Sequence, residues 1–456
     1  MPYNIALVSD FFLPVVGGVE VHIYSLGIQL QKLGHKVIVI THSHSPERIG
    51  IRYLAPTNLK VYHLPIPVLT SSATLPNYLT FLPYLRNIVI REQIQILHGH
   101  ATLSSMAHEA MFHAAFFDVP CGTTPSGDER PRKGIRTIFT DHSLFELDSA
   151  VGVLTNKLLA GALRNADAVI CVSHAGRENT ALRAQLDPHL IYVIPNAIAP
   201  HKFTPNPALA DRSWITIVVV SRLVYRKGID LLVAAAPYIC EMFPDVRFII
   251  GGDGPKMVEL EQMREIYLLQ DRIELLGAIP PGQVTDVLNR GQIYLSTSLT
   301  EAFGISIIEA ASAGLFIVST KVGGVPEILP QDMIEFARPD ADDVITALSN
   351  AIDIIRSGKH DPIKAHERLK GMYSWSEVTR RTERVYDHVM AAEDKSLFER
   401  MARLLDLGPF YGPILCIITA VQGVFLAVLD WLQPRNTIDI VPDMPSRIDK
   451  RVKPPE

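Results

Sequence analysis

Residues 215–228 read ITIVVVSRLVYRKG, and this stretch decides the fold class. Its first six residues are all β-branched, which predicts a strand covered on both faces, as in parallel sheets. Arg222 and Lys227 lie in the polar turn that follows, and parallel sheets bind ligands outside the carboxyl ends of their strands. The stretch therefore predicts a parallel α/β domain with an anion-binding turn at one sheet edge. A solvated basic turn is the alternative.

The same pattern repeats on both sides of this stretch. Short apolar runs alternate with amphipathic segments, which is typical of βαβ units. In the C-terminal half the further predicted strands are residues 247–252, 272–277, 293–297 and 316–320. In the N-terminal half they are residues 4–9, 36–40, 60–64, 94–99, 137–140, 168–173 and 191–195. Because the polar, Pro-rich segment 200–213 predicts a linker, we expect two doubly wound Rossmann-like domains, at 1–205 and 206–392, with an interdomain cleft.

The composition excludes several classes of protein. Lys plus Arg number 43 against 48 Asp plus Glu, so the net charge of −5 offers no basic excess for nucleic acid. Hydrophobic residues make up 48% of the 456 residues, which excludes a mainly disordered chain. The four cysteines are far apart in sequence, which disfavours a zinc ribbon or a disulfide framework and fits a reducing compartment.

An apolar segment follows the second predicted domain. Residues 407–429 are 23 residues without a charge, enough for a helix to cross a hydrocarbon layer of about 30 Å. We expect a transmembrane helix over 407–432, with an amphipathic interfacial segment at 396–406 before it and a polar tail at 433–456 after it. A buried core helix is the alternative. The flanking charges do not decide how the span is oriented.

Two more segments stand outside the repeating pattern. Residues 64–85 carry no charge but contain four prolines, so we expect an apolar loop or a membrane-contacting surface rather than a spanning helix. Residues 118–134 are rich in Pro, Gly and charge, which predicts a surface insertion that could bind a partner subunit.

The N-terminal half also carries candidate site residues. Gly17 and Gly18 lie between the first predicted strand and a helix, where glycines let a phosphate approach free backbone N–H groups. A tight turn is the alternative. His142 follows the predicted strand 137–140 and could donate to a reacting hydroxyl or stabilise developing charge, although a lone histidine there is more often structural.

Four other histidines suggest a metal site. They are His98, His100, His108 and His113. We disfavour this interpretation, because no carboxylate or cysteine spacing accompanies them.

The most specific motif is EAFGISIIE at residues 301–309. Glu301 comes just before the expected helix start at Phe303 and Gly304, while Ile305 and Glu309 fall inside that helix. Two acidic acceptors beside a helix N-terminus can hold sugar hydroxyls while the helix amides face a phosphate. A capping glutamate and an exposed helix glutamate are the alternative.

Five motifs together resemble glycosyltransferase family 4, whose members are retaining enzymes of GT-B fold. They are GGVE (17–20), SRLVYRKG (221–228), GGDGP (251–255), EAFGISIIE (301–309) and GGVPE (323–327). Three further strings are similar, within that family, to enzymes that transfer a sugar to phosphatidylinositol. They are TDHSLF (140–145), IPNA (194–197) and STSLTEAF (296–303). The resemblance covers roughly residues 3–390.

The resemblance implies transfer of N-acetylglucosamine from UDP-N-acetylglucosamine to phosphatidylinositol, the first step of glycosylphosphatidylinositol (GPI) anchor synthesis. It also implies a multisubunit complex in the endoplasmic reticulum membrane, with a single-pass chain, cytosolic catalytic domains and a lumenal tail. Glu301 would hold the sugar and His142 would lie near the reacting centre, as the two catalytic residues. Arg222 and Lys227 would neutralise the diphosphate, and Glu309 would hold the ribose. Backbone contacts to phosphate or sugar are expected at Gly17, Gly18, Phe303, Gly304 and Ile305.

The sequence also favours transfer without a metal cofactor. We expect no Asp-x-Asp triplet on a strand-end loop of the C-terminal half, while Arg222 and Lys227 are placed to stabilise a leaving diphosphate. Three rival functions are another lipid-directed GT-B transferase, a noncatalytic membrane-tethered nucleotide-binding scaffold, and a sugar-nucleotide epimerase of the same fold. The four charged residues of the candidate site disfavour the scaffold, and a membrane span suits a lipid acceptor better than it suits an epimerase.

Overall fold

The computed structural model describes residues 2–15, 17–70, 73–77, 79–119, 133–145 and 150–441. The chain forms two compact units. Unit 1 comprises Met1–Cys171, Arg177–Tyr192 and Thr379–Glu456, and unit 2 comprises Val172–Gly176 and Val193–Val378. Most of the predicted insertion at 118–134 and most of the predicted polar tail at 433–456 lie outside the described residues.

Unit 1 is built on a twisted sheet with two short hairpins beside it. Its strands are β1 (Asn4–Val8), β2 (Lys36–His42), β3 (Gly50–Leu54), β4 (Leu59–Leu64), β5 (Val68–Thr70), β6 (Ala73–Thr74), β7 (Ile96–His100), β8 (Asp118–Val119), β9 (Lys133–Gly134), β10 (Arg136–Asp141), β11 (Ala168–Cys171) and β12 (Ile191–Val193). The main sheet has the order β12-β11-β10-β7-β1-β2-β4-β3. Parallel pairing of β1 with β2 and β7, and of β7 with β10, places their carboxyl ends at one edge.

Helices cover this sheet, and their apolar sides form its core with the buried strands. The first five are α1 (Gly18–Lys32), α2 (Phe81–Glu92), α3 (Ser105–His113), α4 (Ala150–Leu163) and α5 (His174–Ala184). The seven predicted strands of this half are all present, with ends that differ by a few residues. The edge strand β3, antiparallel to β4, is not among the predicted strands, because its side chains are mostly exposed and carry no apolar run.

Residues 64–85 contain a short hairpin and the start of α2 rather than an open loop. The hairpin β5–β6 is held to the sheet by Asp10, whose carboxylate accepts hydrogen bonds from the Thr74 backbone N–H at 3.1 Å and from the Thr74 hydroxyl. The same carboxylate accepts the Ser105 N–H at 3.0 Å, at the N-terminus of α3. Contact of this segment with lipid stays a prediction.

Unit 2 has a six-stranded parallel sheet. Its strands are β13 (Ile215–Val220), β14 (Val246–Gly251), β15 (Ile273–Gly277), β16 (Ile293–Ser296), β17 (Phe316–Thr320) and β18 (Ile334–Ala337). Its helices are α6 (Ile229–Met242), α7 (Met257–Ile266), α8 (Val284–Leu288), α9 (Ile305–Ser312), α10 (Ala341–Arg356) and α11 (Pro362–Lys370). The strand order is β15-β14-β13-β16-β17-β18, so the winding direction reverses between β13 and β16. Ligands of such sheets bind outside the strand ends at this reversal.

The stretch ITIVVV is the strand β13, at the centre of this sheet, as predicted. Ile217 and Val218 are both fully buried, one on each face. Because a central parallel strand is covered on both sides, its residues are apolar at every position rather than at alternate ones. The sixth strand, β18, was outside the predicted set.

The chain returns to unit 1 at Thr379, so the units divide at points other than the expected boundaries at 205 and 392. The reason is the helix α12 (Trp375–Ala391), whose buried Tyr386 contacts His98 of β7 with a distance of 2.8 Å between the hydroxyl oxygen and Nδ1. The buried Arg136 guanidinium donates to the Glu393 carbonyl at 3.2 Å, just after this helix. The end of α12 therefore packs on the sheet of unit 1.

Two further helices complete unit 1, α13 (Leu397–Leu405) and α14 (Tyr411–Leu432). Ser396 and Glu399 form a capping box that fixes the start of α13. This helix lies within the predicted amphipathic segment 396–406. α14 is long and apolar enough to cross a membrane, and it is the one such helix among the described residues.

α14 packs lengthwise on unit 1 in this structure. Its buried side consists of Gly412, Leu415, Thr419, Gln422 and Leu426. Its outer side is apolar and exposed, and includes Ile417, Val424 and Trp431. Near its end, the Asp430 carboxylate lies 2.6 Å from the buried Arg86 guanidinium of α2. The two polar side chains on the buried side distinguish this helix from a uniformly lipid-facing one.

Candidate functional site

The basic turn of unit 2 begins where β13 ends, beside the reversal point of the sheet. The Leu223 N–H donates to the Asp253 carbonyl at 2.9 Å, which fastens this turn to the loop after β14. Gly252 in that loop has φ +139°, and a Cβ there would lie 1.8 Å from the Ser221 carbonyl oxygen. Only glycine allows this approach. The GGDGP motif is therefore the support on which the basic turn rests.

A second set of hydrogen bonds, called the seam below, joins the basic turn to the loop after β16. This loop carries Glu301 and is called the acidic loop below. The Thr297 hydroxyl donates to the Lys227 carbonyl at 2.9 Å, and the Leu299 N–H donates to the Arg226 carbonyl at 2.9 Å. Gly228 lies in this seam with φ +65°, and a Cβ there would lie 1.8 Å from the Thr297 carbonyl oxygen. Glycine is required here both by its left-handed backbone and by the space available.

The seam brings two predicted site residues together. The Lys227 ammonium lies 2.5 Å from a Glu301 carboxylate oxygen, and both side chains are half-buried. The Ser298 hydroxyl lies 3.5 Å from the same oxygen. Arg222 is exposed, and its guanidinium makes no hydrogen bond or ion pair with any residue that the structure describes. The structure thus supplies one oriented ammonium and one guanidinium available to a ligand.

The helix α9 begins directly after Glu301. Gly304 is its N-cap with φ +90°, and the first N–H groups of the helix have no acceptor within it, which favours an anion there. Phe303 is buried, with its ring 5.7 Å from the Tyr373 ring in a T-shaped contact. Its side chain belongs to the core, so a ligand can meet it only through the backbone.

Glu309 lies one turn into α9 and is half-buried. Burial raises its pKa to about 7. Tyr294 of β16 is close enough to Glu309 and Glu301 for both carboxylates to raise the pKa of its phenol, after the larger effect of burial. Its hydroxyl donates to the Val220 carbonyl at 3.0 Å, at the end of β13. Tyr294 therefore ties β16 to the end of the central strand β13.

One sequence observation needs correction. A strand of the C-terminal half does precede an Asp-x-Asp triplet, because β18 is followed by Asp340, Ala341 and Asp342. The Asp340 carboxylate caps α10, accepting the Asp342 N–H at 3.1 Å. β18 is the last strand of the sheet and does not adjoin β13 or β16. The triplet is a helix cap away from the basic turn, and the metal-independent reaction stays a proposal that rests on Arg222 and Lys227.

In unit 1, Gly17 and Gly18 begin α1 as predicted. Gly17 is the N-cap and Gly18 the first helical residue. The carboxylate of Glu20 lies over Gly17, since a Cβ on this glycine would be 2.5 Å from Glu20 Oε2. A negative side chain already faces this helix N-terminus, so a bound phosphate would have to displace it. Binding of phosphate by Gly17 and Gly18 stays a prediction.

His142 follows β10 at the carboxyl edge of the unit 1 sheet. Asp141 orders its loop, because the Asp141 carboxylate accepts the Ser143 N–H at 3.0 Å and the Thr102 hydroxyl at 2.6 Å. Burial, and then the neighbouring imidazoles, hold the pKa of His142 well below its usual range. The ring is therefore neutral at physiological pH. It can donate or accept a hydrogen bond but offers no positive charge to a transition state.

Two of the four histidines that suggested a metal site are neighbours, since the ring centroids of His98 and His100 are 4.2 Å apart, but His98 and His108 make other contacts. His98 uses both ring nitrogens, at 2.8 Å from the Tyr386 hydroxyl and 2.7 Å from the Thr140 hydroxyl. His108 packs on Phe139, with ring centroids 5.8 Å apart. The absence of a metal at that quartet stays a prediction. His100 instead lies near His142, with a distance of 3.3 Å between two ring nitrogens.

Several residues of these sites carry no sequence signal strong enough to single them out. Thr297, Tyr294 and Asp141 are common residue types at strand ends, and only their partners in space show what they hold. The string TDHS places Asp141 beside His142, and an acidic residue before a strand-end histidine was a usable signal. The role of Gly228 could have been found from its position between a cationic turn and a helix, where a left-handed residue is expected.

Comparison with known proteins decides the family. The model for Glycosyltransferase Family 4 matches residues 16–202, and that for Glycosyl transferases group 1 matches residues 205–357. The phosphatidylinositol N-acetylglucosaminyltransferase gpi3 subunit of Schizosaccharomyces pombe is 47% identical over 95% of this chain and 91% of its own length. The chain belongs to the phosphatidylinositol N-acetylglucosaminyltransferase subunit family. The corresponding subunit from Homo sapiens is 46% identical over 97% of this chain and 88% of its own length.

Two solved structures share the fold of this chain. Sucrose-phosphate synthase from Thermosynechococcus elongatus has a TM-score of 0.70 at 20% identity, covering 86% of this chain and 100% of that one. Anabaena Alr3699/HepE in complex with UDP and glucose has a TM-score of 0.64 at 15% identity, covering 84% and 99%. The predictions of glycosyltransferase family 4 and of a GT-B fold with two Rossmann-like domains are confirmed.

Proposed function

We propose that this chain transfers N-acetylglucosamine from UDP-N-acetylglucosamine to a hydroxyl of phosphatidylinositol, with retention at the anomeric carbon. The observation that carries the proposal is the Lys227–Glu301 pair, 2.5 Å apart at the reversal point of the unit 2 sheet and next to the N-terminus of α9. The names of the two relatives supply the sugar and the lipid. Within the chain, unit 2 binds the donor and unit 1 the acceptor.

The charges of unit 2 suit a nucleotide diphosphate. Lys227 and the free Arg222 guanidinium neutralise the two phosphates, and the amides of Gly304 and Ile305 add donors. Glu309 accepts the ribose hydroxyls, and its raised pKa makes that contact dependent on pH. Glu301 accepts sugar hydroxyls and, through its ion pair, keeps the Lys227 ammonium in place before the donor binds.

The reaction breaks the bond between the sugar C1 and the diphosphate oxygen, and forms a bond from the inositol oxygen to C1 on the same face. The inositol proton passes to the leaving phosphate oxygen. Charge grows on the diphosphate as it leaves, so fixed cations stabilise the transition state more than the ground state, with effects of about 10²–10³ for one donor group. Arg222 and Lys227 do this without a metal cofactor. The neutral His142 hydrogen-bonds at the reacting centre.

The test is transfer of radiolabelled sugar to phosphatidylinositol in membranes that contain this chain with its partner subunits. We expect product from UDP-N-acetylglucosamine, and none after Glu301→Ala or Lys227→Ala, with membrane association unchanged. Lys370→Ala is the matched control, because its ammonium pairs with Glu367 at 3.4 Å on the exposed side of α11 in the same unit. Product from UDP-glucose alone would show a different donor, and retained activity in either site variant would contradict the assigned roles.

We further propose that the chain works within a multisubunit complex of the endoplasmic reticulum membrane. Its catalytic units face the cytosol, α14 spans the bilayer and the tail is lumenal. The length and apolar composition of α14 support this. Since Thr419 and Gln422 are buried against unit 1 here, spanning requires α14 to leave unit 1.

Protease treatment of sealed microsomes tests this topology. A tag after residue 441 should be protected and become digestible only when detergent opens the membrane. Digestion of the tag in intact microsomes would show instead that α14 lies along the cytosolic surface with its apolar outer side in the lipid.

A further inference from the structure

Three histidines from three elements of unit 1 bring ring nitrogens together. His22 lies on α1, His100 ends β7 and His142 follows β10, and one ring nitrogen of each lies within 4.8 Å of the other two. The rings of His22 and His142 are in T-shaped contact with centroids 4.6 Å apart. No run of sequence brings these residues together, because the parallel order of β1, β7 and β10 creates the cluster.

The spacing of the cluster suits a tetrahedral ion. His100 Nδ1 and His142 Nε2 are 3.3 Å apart. A zinc ion with Zn–N bonds of about 2.0–2.1 Å holds adjacent tetrahedral ligands about 3.3–3.4 Å apart, so this pair already has that separation.

The ligand set selects the kind of ion. Three imidazoles without a carboxylate or thiolate are nitrogen ligands, which suit Zn²⁺ and its transition-metal neighbours, whereas Mg²⁺ and Ca²⁺ require oxygen ligands. Imidazole binds a metal through the lone pair of a ring nitrogen, and each of the three histidines offers one such nitrogen to the cluster. Three ligands leave the fourth tetrahedral position to water or a ligand.

The surroundings hold the rings in place and leave an approach. His98 stacks against His100 with centroids 4.2 Å apart, and both its own nitrogens are occupied, so it supports the cluster without joining it. Asp141 fixes the backbone that carries His142. His22 and His100 are buried while His142 is half-buried, so an ion can enter from the side of His142.

We propose that His22, His100 and His142 form a binding site for one Zn²⁺ ion in unit 1. The site goes beyond the proposed transfer reaction and is separate from the diphosphate-binding groups of unit 2. The bound ion would tie the start of α1 to the ends of β7 and β10.

The experiment uses the full-length chain without a histidine tag, purified in detergent micelles and stripped with a chelator. Zn²⁺ is then titrated, and the loaded protein is studied by X-ray absorption. We expect one ion per chain, with nitrogen or oxygen neighbours at about 2.0–2.1 Å and no sulfur at about 2.3 Å. His22→Ala and His100→Ala should each weaken Zn²⁺ binding by at least the roughly 10–100-fold that is lost when a residue that only orients a metal ligand is removed. His108→Ala, which removes a histidine of the same unit outside the cluster, should bind as the wild type does.

Three outcomes would overturn the proposal. They are no Zn²⁺ bound by the wild type at micromolar concentration, sulfur in the absorption spectrum, and unchanged affinity in folded His22→Ala or His100→Ala. Circular dichroism shows whether each variant is folded. If neither variant folds, the absorption spectrum of the wild type decides the question, since the ligand types and distances require no mutant.

Discussion

Gly228→Ala offers a sharp test of the seam between the basic turn and the acidic loop. Gly228 has φ +65°, and the added Cβ would lie 1.8 Å from the Thr297 carbonyl oxygen, against about 3.3 Å for an ordinary C···O contact. The two backbones must therefore separate by about 1.5 Å, given that contact distance. Such a movement strains the Thr297–Lys227 and Leu299–Arg226 hydrogen bonds and displaces the Lys227 ammonium from Glu301.

Gly358→Ala is a matched control in the same unit. Gly358 also has φ +65°, but a Cβ there meets nothing within 4 Å. Both substitutions carry the left-handed backbone cost of about 1–2 kcal/mol and the same effect on the unfolded chain. Only Gly228→Ala adds the steric cost, about 1–3 kcal/mol for overpacking, and the weakening of two hydrogen bonds at about 0.5–1.5 kcal/mol each.

We expect Gly228→Ala to be less stable than Gly358→Ala by at least about 2 kcal/mol, a gap in Tm of about 4–8 °C for a domain of this size. Thermal unfolding of the two purified full-length variants measures the gap, and calorimetry measures UDP binding. UDP affinity should fall in Gly228→Ala and stay at the wild-type value in Gly358→Ala. Equal Tm values, or unchanged UDP binding by Gly228→Ala, would refute this account of the seam.

Three further predictions concern pH and metal. Because an ionised Glu309 accepts ribose hydroxyls best, UDP affinity should weaken as the pH falls through about 7, the raised pKa of this carboxyl, while Glu309→Gln should show a flat profile by calorimetry. Burial raises the pKa of Glu109 to about 8 from 4.5, so its contribution to stability is full below pH 4.5 and is lost as the pH rises toward 8. Glu109→Gln should flatten that decline in Tm, and an unchanged slope would contradict it. Omission of Mg²⁺ and Mn²⁺ from the assay should leave sugar transfer unchanged, and loss of transfer would show that the leaving diphosphate requires a metal.

Local sequence patterns were sufficient to predict the repeating βαβ architecture. The β-branched run 215–220 predicted the central strand β13 with its correct bounds, because burial on both faces allows no polar residue in it. The edge strands β3 and β18 were missed, since an exposed or short strand has no such run. The boundary at 392 differs from the observed return of the chain at Thr379, because a boundary depends on which sheet a helix packs against.

The candidate site was likewise predicted only in part from the sequence. Resemblance of short strings indicated Glu301, Glu309, Arg222 and Lys227, and the structure places Lys227 on Glu301. The sequence did not indicate which backbone contacts hold that pair. Gly228 and Thr297 are distant in sequence and carry no charge, so their contact could be seen only in three dimensions.

The sequence by itself determined the layers of this protein, its transferase family and the charged groups offered to a nucleotide diphosphate. These depend on residue type and local periodicity, which neighbours along the chain reveal. Only the tertiary structure decided that His22, His100 and His142 meet, that α12 returns to unit 1, and that α14 buries Gln422 and Thr419. The first depends on the parallel order of strands that are distant in sequence, and the other two depend on which part of unit 1 a helix from the end of the chain packs against. The spacing of residues along the chain sets neither.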